Sequence, residues 1–252
     1  MVPVFRNEET LNDLFAQVSS VLRKEGKTFE FLFVNDCSPD DSAAVLKCLA
    51  DAFDEISIIN LKKHCGQQKA VLIGMSYACG DCVVVMDADL QDPPEALPLL
   101  LSELDESIDV VFAGRAGKYQ QWSRLLTSKV FKTILHLLTD VPVNAGIYCV
   151  LKNQAAKKLT DFWAPRTYIV GMIGTAGLSL KSVLVKRNQR LKGTSAYSFI
   201  GRVRVGVMAL VFTLIWRLVP LSRTGGGGKL SGFVRNVYSA KSSVIEGEDR
   251  NG

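Results

Sequence analysis

The stretch VVVMDADLQDPPE, residues 83–95, runs four apolar residues directly into a cluster of acidic ones. Continuous apolar runs of this kind are typical of strands that are buried on both faces of a parallel sheet. The acidic residues that follow are Asp87, Asp89, Asp92 and Glu95. Because crowded carboxylates at the end of a buried strand need compensation, the stretch indicates a positively charged partner at that end.

Strand-like and helix-like segments alternate on both sides of this stretch. Strands are predicted at VPVF (2–5), FEFLFVND (29–36), ISIINL (56–61), CVVVMDAD (82–89) and DVVFAGR (109–115). The segments between them have helical spacing or helix-start chemistry; one example is residues 66–80, which end at Gly80. The alternation predicts an α/β fold with a mostly parallel sheet that helices cover on both faces.

Charged residues follow three of the predicted strands. Asp36 ends the second, Asp87 and Asp89 end the fourth, and Arg115 ends the fifth. Ligands of such sheets bind outside the carboxyl ends of the strands. Asp87 and Asp89 are two residues apart, so in an extended chain their carboxylates point the same way.

Asp87 and Asp89, together with the uncharged Gln91, form an oxygen-donor set that suits Mg²⁺ or Mn²⁺. An ion of this kind keeps one or two protein carboxylates and takes further ligands from water and substrate phosphates. The sequence contains no GxxxxGK[ST] motif and no GxGxxG after the first strand. We therefore expect a metal-bound diphosphate at this site, whereas Asp92 and Glu95 suit the start of the next helix.

The composition divides the 252-residue chain into an acidic and a basic part. Residues 1–161 carry 22 acidic and 16 basic side chains, whereas residues 162–245 carry 13 basic side chains and no acidic one. Such a block usually faces an anionic partner, and here it contains the apolar run VGVMALVFTLIW, residues 205–216. With basic flanks and Trp216, this run suits a helix lying in a membrane interface; a core helix is the alternative.

This pattern gives three predicted regions. Residues 1–200 form the main domain, residues 201–224 an amphipathic or membrane-associated helix, and residues 225–252 a flexible linker with a disordered tail. Met1 leads directly into a strand-like segment, which predicts no signal peptide. The six cysteines lack zinc-ligand spacing and indicate free, buried thiols in a reducing compartment.

Four blocks in this order resemble family 2 glycosyltransferases: VPVFRNEETL, FVNDCSPDDS, GQQKAVLIGMSYACGD and VVVMDADLQDPPE. Within that family they are similar to the polyprenyl-phosphate branch, which includes dolichol-phosphate mannosyltransferases and bacterial undecaprenyl-phosphate sugar transferases. The resemblance implies a GT-A fold and an inverting, Mg²⁺- or Mn²⁺-dependent transfer from a nucleotide sugar to a polyprenyl phosphate. DADLQDPPE is similar to the bacterial branch, which favours a UDP-sugar.

The resemblance also implies which residues bind the donor. The base and ribose pocket would be lined by Pro3, Phe5, Asn7 and Glu8, and Asp36 would hydrogen-bond the nucleoside. Asp87 would lie near the ribose and the metal. Asp89 and Gln91 would be metal ligands at the diphosphate.

Four further residues resemble the group that holds the acceptor phosphate in the family. They are Arg115, Arg124, Ser128 and, in RLKGTSAYS, Arg190. Arg124 and Ser128 are one turn apart in a predicted helix, although Arg124 on its own also suits a surface charge. With Asp89 these four residues form the predicted catalytic set. The set contains no strong base, and the reaction requires none because an acceptor phosphate is already ionised.

Two other functions stay open. In AGIYCV, Ile147 stands where the family often has an acid, and in GTSAYS, Ala196 replaces a lysine. One alternative is therefore a family 2 enzyme that glycosylates a glycan hydroxyl in polysaccharide synthesis, and the other is an inactive membrane-associated homologue. For the leading hypothesis we expect a protein at the cytoplasmic face of the inner membrane, peripheral or weakly embedded, with no nucleic-acid partner.

Overall fold

The computed structural model describes residues 1–115, 122–161, 167–188, 199–218, 230–239 and 242–246. The first part of the chain alternates strands and helices, as the sequence predicts. It contains β1 (Val2–Val4), α1 (Leu11–Lys24), β2 (Phe31–Asn35), α2 (Ser42–Ala52), β3 (Ile56–Leu61), α3 (Gln67–Tyr77) and β4 (Cys82–Val85). A 3₁₀ turn (Pro94–Ala96) then leads into α4 (Leu97–Ser102) and β5 (Val110–Arg115). The α/β class is therefore confirmed.

The second part of the chain contains four helices and four strands among the described residues. It contains α5 (Trp122–Thr139), β6 (Cys149–Lys152), α6 (Asn153–Thr160), α7 (Ile169–Thr175), β7 (Leu180–Val185), α8 (Phe199–Leu218), β8 (Val234–Ser239) and β9 (Ser242–Glu246). The strands form two sheets, in the orders β1-β2-β3-β8-β9 and β4-β6-β5-β7.

Met1 joins the two sheets. Its amino group donates a hydrogen bond to the carbonyl of Val84 at 2.9 Å, and its own carbonyl accepts one from the amide of Met86 at 3.4 Å. β4 therefore lies next to β1. Helix α3 packs closely on Met1, because a Cβ at Gly74 would lie 2.6 Å from the Met1 side chain.

The strands are more mixed in direction than the alternation predicts. Parallel pairs join β1 to β2, β2 to β3, and β5 to β7. β6, however, runs antiparallel to both β4 and β5, and β8 runs antiparallel to β3. β4, β5 and β7 share one direction because β4 and β5 both oppose β6, and the two hydrogen bonds of Met1 to Val84 and Met86 have the pattern of parallel neighbours, so strands β1 to β5 and β7 all point in one direction. Their carboxyl ends share one edge.

Helices cover both faces of this sheet because strand side chains alternate between the faces. In β2, Phe31 and Phe33 pack with helices α1 and α2, whereas Leu32 and Val34 pack with α3. All four are buried, as the apolar strand sequence predicts. The loops that connect the strands to the helices therefore lie at the edge of the sheet, where the candidate site is found.

The polar tail is more ordered than its composition predicts. Residues 234–239 form β8, which pairs with β3 from Ser57 to Leu61, and residues 242–246 form β9. The prediction of a disordered tail over residues 225–252 is thus wrong for this part. The exposed edge of β3 offers unpaired backbone groups, and pairing with β8 satisfies them. The predicted glycine linker, residues 225–228, lies outside the described residues.

The apolar run 205–216 lies within α8 and has two faces. Ala209, Thr213 and Trp216 are buried where α8 packs against α5 and α7. Val207, Val211, Leu214 and Ile215 form an exposed apolar stripe, with exposures between 42% and 53%. Among the helices that the structure describes, none combines the length and apolar character needed to cross a membrane.

The six cysteines form no disulfide, as predicted. Their burial differs from the prediction, since Cys149 is buried whereas Cys48 and Cys79 are exposed.

Candidate active site

The carboxyl ends of the six aligned strands bring the candidate residues to one edge. Phe5 follows β1, Asp36 follows β2, His64 lies after β3, Asp87 follows β4, Arg115 ends β5, and Arg187 follows β7. Parallel strands that end together place such residues near one another although they are far apart in the sequence.

Asp36 is buried and organises the connection between β3 and α3. One carboxylate oxygen accepts hydrogen bonds from the amide of Cys65 at 2.7 Å and from its thiol at 3.3 Å. The other accepts from the amide of Gly66 at 2.8 Å and lies 2.9 Å from Nδ1 of His64. Gly66 has φ of +87°, a conformation that glycine adopts without a steric penalty. The predicted hydrogen bond from Asp36 to the nucleoside stays a prediction.

Phe5 and His64 form an exposed aromatic pair beside Asp36. Their ring centroids are 4.2 Å apart, and the guanidinium carbon of Arg6 lies 5.5 Å from the Phe5 centroid. Phe5 is 37% exposed and the His64 side chain 53% exposed. Exposed aromatic faces of this kind provide a surface on which a planar base can stack. Pro3, by contrast, is buried within β1 and pairs with Val34.

Asn7 and Glu8 tie the loop after β1 to the loop before α2. The amide of Asn7 donates to Oγ of Ser42 at 3.2 Å, and the amide of Glu8 donates to Oδ2 of Asp40 at 3.2 Å. In return, the amide of Asp41 donates to Oε2 of Glu8 at 2.6 Å. These contacts shape the rim of the pocket around Phe5, which gives Asn7 and Glu8 a structural role there.

Residues 87–92, here called the acidic loop, are held by other parts of the chain. The contacts run from Thr10 Oγ1 to the Ala88 carbonyl (2.6 Å), from Tyr148 Oη to the Pro93 carbonyl (3.0 Å) and from the Asn188 amide to the Gln91 carbonyl (3.0 Å). Leu90 adopts a positive φ of 60°, and this turns the chain within the loop. The loop is therefore a defined structure.

The carboxylates of the acidic loop have different partners. Asp87 accepts a hydrogen bond from the side-chain Nε2 of Gln67 and lies 3.7 Å from the guanidinium of Arg187. Asp89 Oδ1 accepts from the amide of Gln91 at 3.2 Å. Since Gly66 contacts Asp36 and the next residue, Gln67, contacts Asp87, one short segment links the two acidic strand ends.

Asp92 is fully buried and forms an ion pair with Arg187. Nε of Arg187 donates to Oδ1 of Asp92 at 2.8 Å, and Oδ2 accepts from the amide of Asp87 at 3.0 Å. Burial raises the pKa of Asp92, and the guanidinium opposes this effect by favouring the ionised carboxylate. Burial also works against the charged guanidinium, but Asp92 and its neighbours raise the pKa of Arg187 overall. Asp92 thus has a partner 95 residues away, beyond the helix-start role predicted for it.

The donor atoms fit a metal whose coordination a substrate completes. Among the described residues, no group of three or more His, Cys, Asp or Glu side chains could hold a metal ion. Two neighbouring carboxylates, Asp87 and Asp89, are what a magnesium-type ion keeps when it also binds phosphates. Asp87 and Asp89 are therefore the candidate protein ligands for such an ion.

The structure describes only some of the residues that are predicted to bind the acceptor. Arg115 is the last residue of β5, and Arg124 and Ser128 lie one turn apart in α5. Arg190 and Ala196 lie outside the described residues. Ile147 is partly buried and packs against the apolar core beside β6.

Three residues of the site were not predicted from the sequence: His64, Gln67 and Arg187. Gln67 lies in the block GQQKAVLIGMSYACGD but received no role, and the motifs do not include His64 or Arg187; each of the three follows the carboxyl end of a strand. His64 and Gln67 follow β3, and Arg187 follows β7, a strand that the sequence analysis did not predict. A prediction that included β7, and that considered the residues after every strand, would have identified them.

Comparison with known proteins places the sequence in a family. Residues 1–160 match the profile of Glycosyl transferase family 2. An uncharacterized glycosyltransferase of Synechocystis sp. is 29% identical over 205 residues, covering 79% of this chain and 64% of the relative. The undecaprenyl-phosphate 4-deoxy-4-formamido-L-arabinose transferase of Pectobacterium atrosepticum is 30% identical over 238 residues, covering 93% of this chain and 72% of the relative. The chain thus spans less than two thirds of the Synechocystis relative.

Solved structures show the same fold at low sequence identity. Mannosyl-3-phosphoglycerate synthase of Rubrobacter xylanophilus matches with a TM-score of 0.63 and 15% identity, covering 88% of this chain and 74% of that one. Glucosyl-3-phosphoglycerate synthase of Mycobacterium tuberculosis, crystallised with Mn²⁺, UDP and glucosyl-3-phosphoglycerate, matches with a TM-score of 0.60 and 17% identity, covering 86% and 77%. The predicted GT-A fold is confirmed by these neighbours.

Proposed function

Because the chain belongs to glycosyl transferase family 2, we propose that it moves a sugar from a UDP-sugar to a polyprenyl phosphate, with inversion at the anomeric carbon. The observation that carries the proposal is the acidic loop, which presents Asp87 and Asp89 at the edge where six strands end. A relative whose name specifies undecaprenyl phosphate supports the choice of acceptor.

The donor would bind along this edge from the aromatic pair to the acidic loop. The base would stack on Phe5 and His64, which are exposed and already in contact. The buried carboxylate of Asp36 contacts Nδ1 of His64 and fixes the position of the ring. The segment from His64 to Gln67 then leads to Asp87, where the ribose and the diphosphate would lie.

Asp89 and Asp87 would hold Mg²⁺ or Mn²⁺ together with the donor diphosphate, and Gln91 would be a neutral ligand. The bound ion would stabilise the charge that develops on the leaving nucleoside diphosphate. In the proposed reaction, an acceptor phosphate oxygen attacks the anomeric carbon from the side opposite the diphosphate. The C–O bond to the diphosphate breaks, and the diphosphate keeps the electron pair. The attacking phosphate oxygen is already ionised, so no strong general base is needed.

Arg115, Arg124, Ser128 and Arg190 would hold the acceptor phosphate. Arginine matches phosphate oxygens with paired N–H donors, and β5 ends at the same edge as β4. Their role is to orient the nucleophile relative to the donor, which by itself removes a large entropic part of the barrier.

The acceptor would be reached from a membrane surface that α8 contacts. The apolar stripe Val207, Val211, Leu214 and Ile215 is exposed along one face of α8, and Leu137 of the neighbouring α5 is 73% exposed. Residues 162–245 carry no acidic side chain, so this part of the chain complements an anionic leaflet. An interfacial helix of this type suits peripheral binding at the cytoplasmic face.

A transfer assay tests the proposed reaction. The purified protein is given labelled UDP-sugars or GDP-sugars, with undecaprenyl phosphate or dolichyl phosphate in detergent, and with Mn²⁺, Mg²⁺ or EDTA. We expect label on the lipid phosphate from a UDP-sugar, with EDTA abolishing transfer. Transfer to a soluble glycan without lipid product would instead identify a hydroxyl acceptor. Nucleotide-sugar binding with no product on any acceptor would identify an inactive homologue.

A flotation assay tests the membrane surface separately. Vesicles of phosphatidylcholine with phosphatidylglycerol are mixed with the wild type, with Val211→Asp and with Leu214→Asp. Each substitution places a charge in the stripe, and we expect vesicle affinity to fall roughly tenfold or more. The matched control is Leu99→Asp, because Leu99 of α4 is 45% exposed, as is Val211. Equal binding of all three variants would exclude this stripe as the membrane contact.

A further inference from the structure

Arg187 closes a ring of contacts with Asp87 and Asp92. Nε donates to Oδ1 of Asp92 at 2.8 Å, and one terminal nitrogen contacts the same oxygen while lying 3.7 Å from Oδ2 of Asp87. Asp92 in turn accepts from the amide of Asp87 at 3.0 Å. The Asp92 side chain is 0% exposed, whereas that of Asp87 is 22% exposed. Arg187 therefore links the buried carboxylate of Asp92 to the partly exposed carboxylate of Asp87.

We propose that Arg187 is a positioning residue that orients the Asp87 carboxylate for a metal-bound nucleotide diphosphate. This inference rests on the proposed function. Asp92 supplies the fixed point, because its side chain is fully buried and contacts both the guanidinium of Arg187 and the amide of Asp87. Gln67 contacts the second oxygen of Asp87. The carboxylate is thus held between a cation and an amide.

The charges in this cluster support a role beyond the stability of the fold. Asp87, Asp89 and Asp92 bring three negative charges into six residues, and Arg187 compensates one of them. Arg187 therefore places its positive charge between a buried carboxylate and one at the surface of the site.

The residue after Arg187 also contacts the acidic loop. Asn188, next to Arg187, donates from its amide to the Gln91 carbonyl at 3.0 Å and from its side chain to the Leu90 carbonyl at 3.4 Å. Residues 187 and 188 therefore fix both the backbone of the acidic loop and one of its carboxylates. An ion pair that served only to stabilise the fold would not need to reach Asp87.

Two variants keep the net charge of the cluster constant and change its geometry. Arg187→Lys keeps the cation but offers one point donor instead of a planar fork, so it cannot contact both acids in the same way. The double variant Asp92→Asn with Arg187→Gln replaces the buried ion pair by a neutral amide pair. Neither introduces an unpaired buried charge, which by itself costs about 3–5 kcal/mol.

The binding of UDP is measured by calorimetry with Mn²⁺ and, separately, in EDTA. We expect both variants to weaken Mn²⁺-dependent UDP binding ten- to hundredfold, the range found when partners of metal ligands are removed. Binding in EDTA should stay as in the wild type, because the base pocket at Phe5 and His64 is untouched. Electron paramagnetic resonance of Mn²⁺ should show a smaller bound fraction in the presence of UDP.

The matched control is Arg23→Lys, since Arg23 forms an exposed ion pair with Glu55 at 2.9 Å and lies outside the site. Wild-type Mn²⁺-dependent affinity in a folded variant would overturn the inference. Equal weakening with Mn²⁺ and in EDTA, or loss of the fold in both variants, would assign Arg187 a structural role and would also overturn it. If the wild type binds neither UDP nor GDP more tightly with Mn²⁺, the proposed function itself fails, and the inference fails with it.

Discussion

The two acidic strand ends, at Asp36 and at Asp87, occupy equivalent places at the edge of the sheet but have different surroundings. The Asp36 side chain is 2% exposed and accepts hydrogen bonds from the amides of Cys65 and Gly66. Asp87 is partly exposed, and its partners are the side chains of Gln67 and Arg187. Backbone donors are fixed by the fold, whereas side-chain donors can rearrange when a ligand arrives.

A carboxylate at a strand end is therefore not by itself evidence of a ligand contact. Asp36 shapes the loop that carries His64, so it acts on the pocket through that loop. Asp87 and Asp89 are partly exposed, and the proposed function makes them ligands of the metal-bound diphosphate. The two positions therefore make opposite predictions for stability and for activity.

Asp89→Asn should reduce sugar transfer by at least about 100-fold, because it removes a charged ligand of the proposed metal while keeping the shape of the side chain. Thermal unfolding should stay close to that of the wild type, since Asp89 is only partly buried. Initial rates with saturating Mn²⁺ measure the effect. Asp54→Asn, at an exposed position outside the site, is the control. Full activity in Asp89→Asn would contradict the proposed metal site.

Asp36→Asn should instead lower the free energy of unfolding by roughly 2–4 kcal/mol. The asparagine amide would bring an N–H group towards the amides of Cys65 and Gly66, which need an acceptor. Urea unfolding followed by circular dichroism measures the loss. A variant with wild-type stability and lost nucleotide binding would point to a direct nucleoside contact, and the contrast between the two acids would break down.

Tyr148→Phe should lower the free energy of unfolding by about 1 kcal/mol, because the Pro93 carbonyl loses its donor beside the acidic loop. Burial raises the pKa of Tyr148, so its hydroxyl stays protonated and can donate across the neutral range. Urea unfolding measures this effect as well. A loss as large as that of Asp36→Asn would show that the acidic loop depends on buried contacts as strongly as the Asp36 loop does.

Cys65 should be alkylated more slowly than Cys79 at neutral pH. Burial, with a contribution from Asp36, raises the pKa of Cys65 to about 12, so the reactive thiolate is scarce until the pH approaches that value. Iodoacetamide labelling followed by peptide mass spectrometry compares the two, with the exposed Cys79 as the internal control. In Asp36→Asn the labelling of Cys65 should become faster, because a neighbouring negative charge is gone. Unchanged labelling would indicate that Asp36 does not act on this loop electrostatically.

The fold was predictable from the sequence where the signal is local. The apolar interiors of β2 and β4, the helical spacing of α1 and the positions of Asp36 and Asp87 are properties of short segments, and the structure has them as expected. β7 and β8 were not predicted. β8 is half polar, and β7 is a short segment that includes Lys181 and Ser182; both are strands because they pair with β3 and β5.

The α/β class and the position of Asp36 and Asp87 after buried strands follow from the sequence alone, because apolar strand segments and the residues that end them are local features of the chain. The predicted fourth strand, residues 82–89, ends earlier, at Val85, so the pairing of Asp87 with Asp89 at a metal stays a prediction. Only the tertiary structure decided that Asp36 is buried beneath His64, and that Asp92 pairs with Arg187 across 95 residues. Such partners come together through the packing of strands that are distant in sequence. Spacing within one segment contains no record of them.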